Sequence, residues 1–158
     1  MKTTFVRTLL VLGAVLTAAM APSLANAAQC STASTAGNWG YTYTGTIFTP
    51  AGPVPAASVG RFHEGPGGNL SGSQNRSVAG QSGVEDISGT VSVNDDCTAS
   101  ATIEVRVNGQ LLRTAELALV YDSSGNHVRG IFQSLVLPDG TNIPVVITID
   151  GNRVTSRN

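Results

Sequence analysis

The stretch from Ile87 to Val107, ISGTVSVNDDCTASATIEVRV, alternates small or apolar residues with polar ones along two consecutive arms. Successive side chains of a β-strand point to opposite faces, so an alternation with a period of two predicts a half-buried strand. The two arms are separated by Asn94-Asp95-Asp96, which are typical turn-forming residues. The segment therefore predicts an antiparallel hairpin, and a chain built from such units folds as a β-protein.

Much of the remaining sequence repeats this pattern, with clusters of Gly, Pro, Asn and Asp between the runs and no amphipathic helix. We predict strands near residues 38–48, 56–64, 70–78, 87–93, 98–107, 111–121, 128–137, 143–149 and 153–156. Open sheet edges invite pairing with other chains, so such a meander closes on itself or stacks as two sheets. The sequence predicts an all-β fold, a single antiparallel up-and-down β-barrel of about eight strands, with a β-sandwich as the alternative.

Four connections between these strands have distinct sequence signals. Asn108-Gly109 predicts a type I′ turn, because both residues tolerate a positive φ. The prolines of Thr49–Pro55 predict a loop, Gln81–Gly83 predicts a break, and Asp150-Gly151 predicts a turn before a short terminal strand. The segment at 70–78 is polar on both faces, which indicates an edge strand or a strand that lines a wet interior.

The N-terminal segment has the features of an export signal. Basic residues precede an apolar run at 9–19, and the small-x-small sequence Ala25-Asn26-Ala27 follows it. This order is typical of a secretory signal peptide. We predict a signal peptide over 1–27, cleaved before Ala28, and a β-barrel domain over 28–158 in a secreted or periplasmic protein. No later run is long and apolar enough to cross a membrane as a helix, so we expect no stable membrane insertion.

The charge and the cysteine content of the chain limit which partners, covalent links and metal sites we expect. Without the predicted signal peptide the formal net charge shifts from −1 to −3, and no lysine remains. A mildly acidic chain without a basic cluster predicts no nucleic-acid partner. Cys30 and Cys97 are the only cysteines, and an even pair in an oxidising compartment predicts one disulfide. No CxxC pair, adjacent histidine or calcium-binding loop accompanies them, so we predict no metal site.

Several short motifs carry a family resemblance. Gly37-Asn38-Trp39, before the first predicted strand, resembles the GxW motif of lipocalins, whose tryptophan packs across the floor of an eight-stranded ligand-binding barrel. Gly37 to Gly45, Val59 to Gly72 and Gly89 to Ala99, which includes Asn94-Asp95-Asp96-Cys97, are similar to uncharacterised secreted bacterial proteins. This similarity covers most of the chain after the predicted signal peptide. It implies a small barrel of the lipocalin or allene-oxide-cyclase type and supplies no established activity or site.

Aromatic residues are the main candidates for ligand contact. Trp39, Tyr41 and Tyr43 share one face of the first predicted strand, and core-facing aromatics also line any cavity inside a barrel. Tyrosine hydroxyls would then orient an apolar ligand. We predict the following ligand-binding residues: Trp39, Tyr41, Tyr43, Phe62, Glu116 and Phe132.

Glu116 belongs to this set because of the predicted strand register. A hairpin centred on Asn108-Gly109 pairs Glu104 with Arg113, and it pairs Glu116 with Ala101 on an apolar face. If that face points inward, Glu116 is a carboxylate with a raised pKa inside an apolar cavity. If Leu117 and its neighbours point inward instead, Glu116 is an ordinary exposed charge.

Three functional hypotheses follow, and none requires a cofactor. The first is a barrel that binds a small, mostly apolar ligand in its interior. The second is a cyclase or isomerase on the same barrel, with Glu116 or His63 as acid or base, since His63 lies beside Glu64. The third is a protein-binding module, such as a secreted inhibitor, that acts through its loops at Thr49–Pro55 or Gly65–Asn69.

Overall fold

A computed structural model of the protein describes residues 30–154. One short helix precedes eight strands: α1 (Thr32–Thr35), β1 (Gly37–Thr49), β2 (Gly52–Glu64), β3 (Asn69–Val78), β4 (Gln81–Val93), β5 (Thr98–Val107), β6 (Gln110–Tyr121), β7 (His127–Val136) and β8 (Val145–Arg153). Each strand pairs with the next, and β8 pairs antiparallel with β1, which closes the barrel. The predicted eight-stranded all-β barrel is confirmed, and the sandwich alternative is wrong because the sheet has no free edge.

The predicted signal peptide, residues 1–27, lies outside the described residues. Within 30–154, no helix has the length and apolar character that crossing a bilayer requires.

Alternation along the strands separates the barrel interior from its outer surface. On β1, Tyr41 and Tyr43 are buried while Thr42 and Thr44 are exposed, as the period of two predicts. Buried apolar residues from the strands meet inside the barrel in two neighbouring clusters. The core of the protein is therefore the interior of the barrel.

The turn between β3 and β4 differs from the prediction. Ala79 and Gly80 have φ values of 49° and 81°, so these two residues form the turn, and β4 begins at Gln81. The predicted break at Gln81–Gly83 is wrong, because the turn uses a positive φ at Ala79, and alanine is not a residue type that indicates a positive φ. Asn108 and Gly109 also have positive φ, as the sequence predicts for their turn. The consequence is that β4 is six residues longer at its start than predicted, with Glu85 inside it.

The predicted loop at Thr49–Pro55 is mostly strand. Thr49 and Gly52 already form a pair of the β1–β2 ladder, and Pro53 and Pro55 continue it. Proline is tolerated there because β3 ends at Val78, opposite Ala56, so the start of β2 extends beyond β3 and needs no N–H donor on that side.

The end of the barrel sheet is also simpler than predicted. β8 runs without a break through Asp150 and Gly151, so a separate terminal strand at 153–156 is wrong for its described part. A Cβ atom added to Gly151 would lie 3.0 Å from Val128 and 3.4 Å from Tyr41. Glycine at this position therefore serves close packing inside the barrel and not a turn.

The N-terminal segment closes one end of the barrel, which we call the α1 end. Cys30 and Cys97 form the predicted disulfide, so that prediction is confirmed, and the bond fits an extracellular or periplasmic protein. Trp39 is fully buried, donates a hydrogen bond of 3.0 Å from Nε1 to the carbonyl of Thr35, and lies 5.4 Å below the guanidinium of Arg153. Arg153 also donates a hydrogen bond of 2.9 Å to the carbonyl of Ser34, so the hydrogen bonds from Trp39 and Arg153, together with the disulfide, hold α1 against the strands.

A buried carboxyl group completes the α1 end. Glu64 is 0% exposed, and its Oε1 accepts a hydrogen bond of 2.6 Å from the Thr35 hydroxyl. The Tyr121 hydroxyl donates to its Oε2 over 3.4 Å. Burial raises the pKa of Glu64, and the two hydroxyl donors offset part of that rise.

Candidate ligand cavity

The interior of the barrel contains a cavity of about 360 Å³. Known ligand-binding pockets occupy about 300–1,000 Å³, so this volume is enough for a small molecule. Most of its wall is aliphatic or aromatic, including Ile47, Leu70, Ile87, Val105, Leu117, Leu119, Val128 and Ile147. The cavity is therefore predominantly apolar, with few polar groups in its wall.

Exposure changes along the axis of the cavity. Thr49, Val78 and Leu137, at the end opposite α1, line the cavity and are partly exposed. Tyr121 and Val128 line it near the α1 end and are each only 4% exposed. We call the end at Thr49, Val78 and Leu137 the mouth, because solvent reaches the lining there.

A buried polar cluster interrupts the apolar wall in the half of the barrel near the mouth. Glu85 on β4 is 2% exposed, and Arg113 on β6 binds it through two parallel contacts, Nη1–Oε1 at 2.9 Å and Nη2–Oε2 at 2.5 Å. Arg76 on β3 donates from Nε to Oε1 at 2.5 Å. Paired Arg–carboxylate contacts of this kind are among the stronger hydrogen bonds in proteins.

Gln74 extends this cluster toward β1 and β2. Its Nε2 donates to Glu85 Oε2 at 2.7 Å, which leaves its carbonyl oxygen to accept from the hydroxyls of Tyr41 at 2.8 Å and Ser58 at 3.1 Å. No buried polar side-chain atom of residues 30–154 lacks a hydrogen-bond partner. The cluster is thus a continuous network across five strands, β1 to β4 and β6, and not a set of isolated polar residues.

The network fixes the ionisation of its members. Burial alone would raise the pKa of Glu85, but the hydrogen bonds and positive charge of Arg113, together with Arg76 and Gln74, lower it below its ordinary value of 4.5. Burial raises the pKa of Tyr41 and Tyr43, so both phenols stay neutral at physiological pH. Glu85 is therefore a carboxylate that accepts hydrogen bonds, and it has no proton to donate at neutral pH.

The cavity wall carries an excess of positive charge. Arg76 and Arg113 are the charged residues among those that line the cavity within the described part of the chain, and Glu85 lies behind them. Two guanidinium groups and one carboxylate leave one uncompensated positive charge, because arginine stays protonated.

Four of the predicted ligand-binding residues line this cavity: Tyr41, Tyr43, Phe62 and Phe132. Tyr41 contacts Phe62 with ring centroids 5.7 Å apart, and Tyr43 contacts Phe132 at 5.5 Å. Trp39 lies deeper, stacked on Phe62 at 6.1 Å, and belongs to the packed core of the α1 end. The structure brings these aromatics together, with Trp39 beneath the cavity.

Glu116 lies on the outer surface, where it accepts a hydrogen bond of 2.9 Å from the Thr102 hydroxyl. The predicted register is wrong because a β-bulge between Val105 and Arg106 shifts the β5–β6 pairing by one residue, so that Glu116 lies opposite Thr102. A shift of one residue exchanges the two faces of a strand. Leu117 and Arg113 consequently face inward, and the predicted pair of Glu104 with Arg113 is not formed.

His63 also lies on the outer surface. Its Nδ1 is 3.2 Å from the Asn38 side-chain oxygen, and its neighbour Glu64 points into the barrel on the opposite face of β2. His63 and Glu64 therefore cannot act on one molecule inside the cavity.

Sequence reasoning missed the residues of the polar cluster. The predicted register pairs Arg113 with Glu104 and not with Glu85, because the bulge leaves no mark in the sequence. The strand predicted at 87–93 excludes Glu85, although the alternation that buries Ile87 and Val91 includes Glu85 when it is extended two residues toward the N-terminus. The sequence signal nearest to the polar cluster is the polar character of both faces of 70–78, which predicts that this strand could line a wet interior. Gln74 and Arg76 on this strand do line the cavity.

The fold and the site define this chain as a closed eight-stranded antiparallel barrel with an apolar cavity and an internal arginine–glutamate network. Searches against protein-family models and against curated proteins find no match. Within residues 30–154, no three His, Cys, Asp or Glu side chains converge in a way that could hold a metal ion.

Proposed function

We propose that this protein is a secreted or periplasmic barrel that binds a small, mostly apolar molecule in its interior. The observation that carries the proposal is the cavity of about 360 Å³ with an apolar wall and one polar cluster. Small-molecule sites have this composition, in which apolar surface supplies affinity and a few placed polar groups fix orientation.

The physical cost of the cavity supports a binding role. Protein interiors pack with few voids larger than a water molecule, and side chains around an unfilled apolar void lose packing contacts. Here the wall includes the small side chains of Ala101 and Ala115 at positions where larger residues would fill the space. A ligand of matching shape would recover the lost contacts.

The chain's resemblance to secreted bacterial barrels remains part of this proposal. The closed barrel and the disulfide between Cys30 and Cys97 support it. The disulfide also fits the predicted export of the chain.

The enzyme hypothesis receives no comparable support. Glu116 and His63, its proposed acid or base, lie on the outer surface. Glu85 is at the cavity but is held as a carboxylate by three donor residues, which makes it a poor proton donor. The loop-binding hypothesis loses most of its first loop, because β1 and β2 leave only Pro50 and Ala51 in the turn.

Titration with N-phenyl-1-naphthylamine, a neutral dye that fluoresces in apolar surroundings, tests the proposal. We expect saturable binding to the wild type and a loss of affinity of about tenfold or more in Ala101→Phe, because the added ring fills the cavity. Ala57→Phe is the matched control, since Ala57 lies on the outer surface. Absence of saturable binding, or equal effects of the two substitutions, would refute an interior ligand site.

A further inference from the structure

We propose that the ligand is an apolar monoanion, a carboxylate on a single apolar chain, and that Arg76 and Arg113 bind its head group inside the cavity. This inference rests on the proposed function, because it names the chemical class that the same cavity takes. Its basis is the uncompensated positive charge of the cavity wall and the free donors of Arg76.

Arg76 supplies those donors. Its Nε is occupied by Glu85, and neither of its Nη groups has a hydrogen-bond partner among the described residues. The side chain is 29% exposed and lines the cavity. Each terminal nitrogen of a guanidinium carries two N–H bonds in a planar fork, so Arg76 offers an anion a preformed binding face.

Arg113 has a different part in the same site. Both of its Nη groups are bound to Glu85, and its side chain is 16% exposed. Tyr43 lines the same cavity, and the nearby positive charge of Arg113 offsets part of the rise that burial causes in the pKa of its phenol. Arg113 therefore neutralises and positions Glu85, so that the charge of Arg76 is left for a ligand, and the neutral Tyr43 hydroxyl is available beside it.

Charge balance selects a monoanion. A cation placed in an apolar surrounding is costly unless an opposite charge accompanies it, and Coulombic attraction there is stronger than in water. One added negative charge neutralises the pair of arginines and Glu85, whereas a dianion would leave an excess of negative charge and a cation would add repulsion. A planar carboxylate also matches the geometry of guanidinium N–H groups.

The layout of the wall sets the orientation of this ligand. Arg76 lies two residues before Val78, at the mouth, while Leu117, Leu119 and Val128 line the opposite part of the cavity toward the α1 end. The carboxylate would therefore sit near the mouth, where water can reach it, and the apolar chain would point toward α1.

Competition against bound N-phenyl-1-naphthylamine with three probes of equal chain length tests this inference: decanoate, decan-1-ol and decylamine. At pH 8 and low salt we expect decanoate to displace the dye at a concentration about tenfold or more below that of decan-1-ol, with decylamine weakest. Arg76→Gln should abolish the preference for decanoate over decan-1-ol, with each displacement referred to the dye affinity of that variant. Arg61→Gln is the matched control, because Arg61 is exposed on the outer surface.

A second variant changes the charge in the opposite direction. Glu85→Gln removes the carboxylate and raises the net positive charge of the wall, so decanoate should bind more tightly than to the wild type, if the variant folds by circular dichroism. Equal displacement by decanoate and decan-1-ol in the wild type, or a decanoate preference that survives Arg76→Gln, overturns this inference while dye binding leaves the proposed function intact. Failure of the dye and all three probes to bind overturns both.

Discussion

Arg113 and Glu85 join β6 to β4 across the inner side of β5, through two parallel hydrogen bonds of 2.9 and 2.5 Å between the guanidinium and the carboxylate. The pair links strands that are not neighbours in the sheet. Because Glu85 is only 2% exposed, this contact holds a charge that water cannot solvate. The ion pair therefore braces the barrel and sets the electrostatic character of the cavity.

Removal of one partner should destabilise the protein strongly. We expect Arg113→Met to lower the free energy of unfolding by about 3 kcal/mol, because it leaves a buried carboxylate with fewer partners. Urea unfolding followed by the fluorescence of Trp39 measures this change. The double variant Arg113→Met with Glu85→Gln should lose at least about 1 kcal/mol less than the sum of the two single variants. Additive effects would contradict a direct ion pair.

Acid should weaken the barrel through Glu85. Its pKa is lowered in the folded state, so its contribution to stability is present above its ordinary value of 4.5 and is lost as the pH falls through the lower folded value. The free energy of unfolding should therefore fall more steeply below pH 4.5 in the wild type than in Glu85→Gln. Urea titrations at pH 6, 4 and 3 measure the difference, and parallel pH profiles for the two proteins would speak against a paired Glu85.

Glu64 should make the free energy of unfolding depend on pH in the opposite sense to Glu85, and over a higher pH range. Burial raises its pKa in the folded state, so its contribution is present below the ordinary value of 4.5 and is lost as the pH rises through the higher folded value. Relative to Glu64→Gln, the wild type should be more stable at pH 4.5 than at pH 8. Glu116→Gln serves as the control for the loss of a surface carboxyl group, since Glu116 is exposed.

The disulfide should contribute substantially to stability. Cys30 and Cys97 are 67 residues apart in the sequence, and closing a loop of that length contributes about 4 kcal/mol on the chain-entropy model. The double variant Cys30→Ser with Cys97→Ser should unfold at a lower urea concentration than the oxidised wild type. Reduced wild-type protein should match the variant; a midpoint that reduction leaves unchanged would contradict this role.

Replacement of Glu116 should leave ligand binding unaffected. Glu116→Gln changes a group on the outer surface whose partner is Thr102, so we expect the affinity for N-phenyl-1-naphthylamine to stay within about twofold of the wild type. The free energy of unfolding should change by less than about 0.5 kcal/mol. A large loss of dye affinity would place Glu116 at the cavity and contradict the observed register.

Alternation and turn residues carried most of the fold. The period of two over Ile87–Val107 and the turn at Asn108-Gly109 predicted the central strands, and the paired cysteines predicted the disulfide. The predicted strand boundaries are wrong at positions where no local sequence pattern indicates the backbone conformation. Ala79 adopts a positive φ only in the folded chain, and Pro53 and Pro55 fit into β2 only because β3 ends before it can pair with them.

The sequence by itself determined the all-β meander and its aromatic interior, because these depend on a periodicity that holds over many residues, and its two cysteines determined the disulfide. Only the pairing of β8 with β1 excludes the sandwich that the same pattern allows. The tertiary structure alone decided which charges enter the cavity. That choice depends on a single residue at the β-bulge between Val105 and Arg106, which turns Arg113 inward and Glu116 outward. Since neighbouring side chains of a strand face opposite sides, one inserted residue exchanges a buried carboxylate for a buried guanidinium, and no local pattern records it.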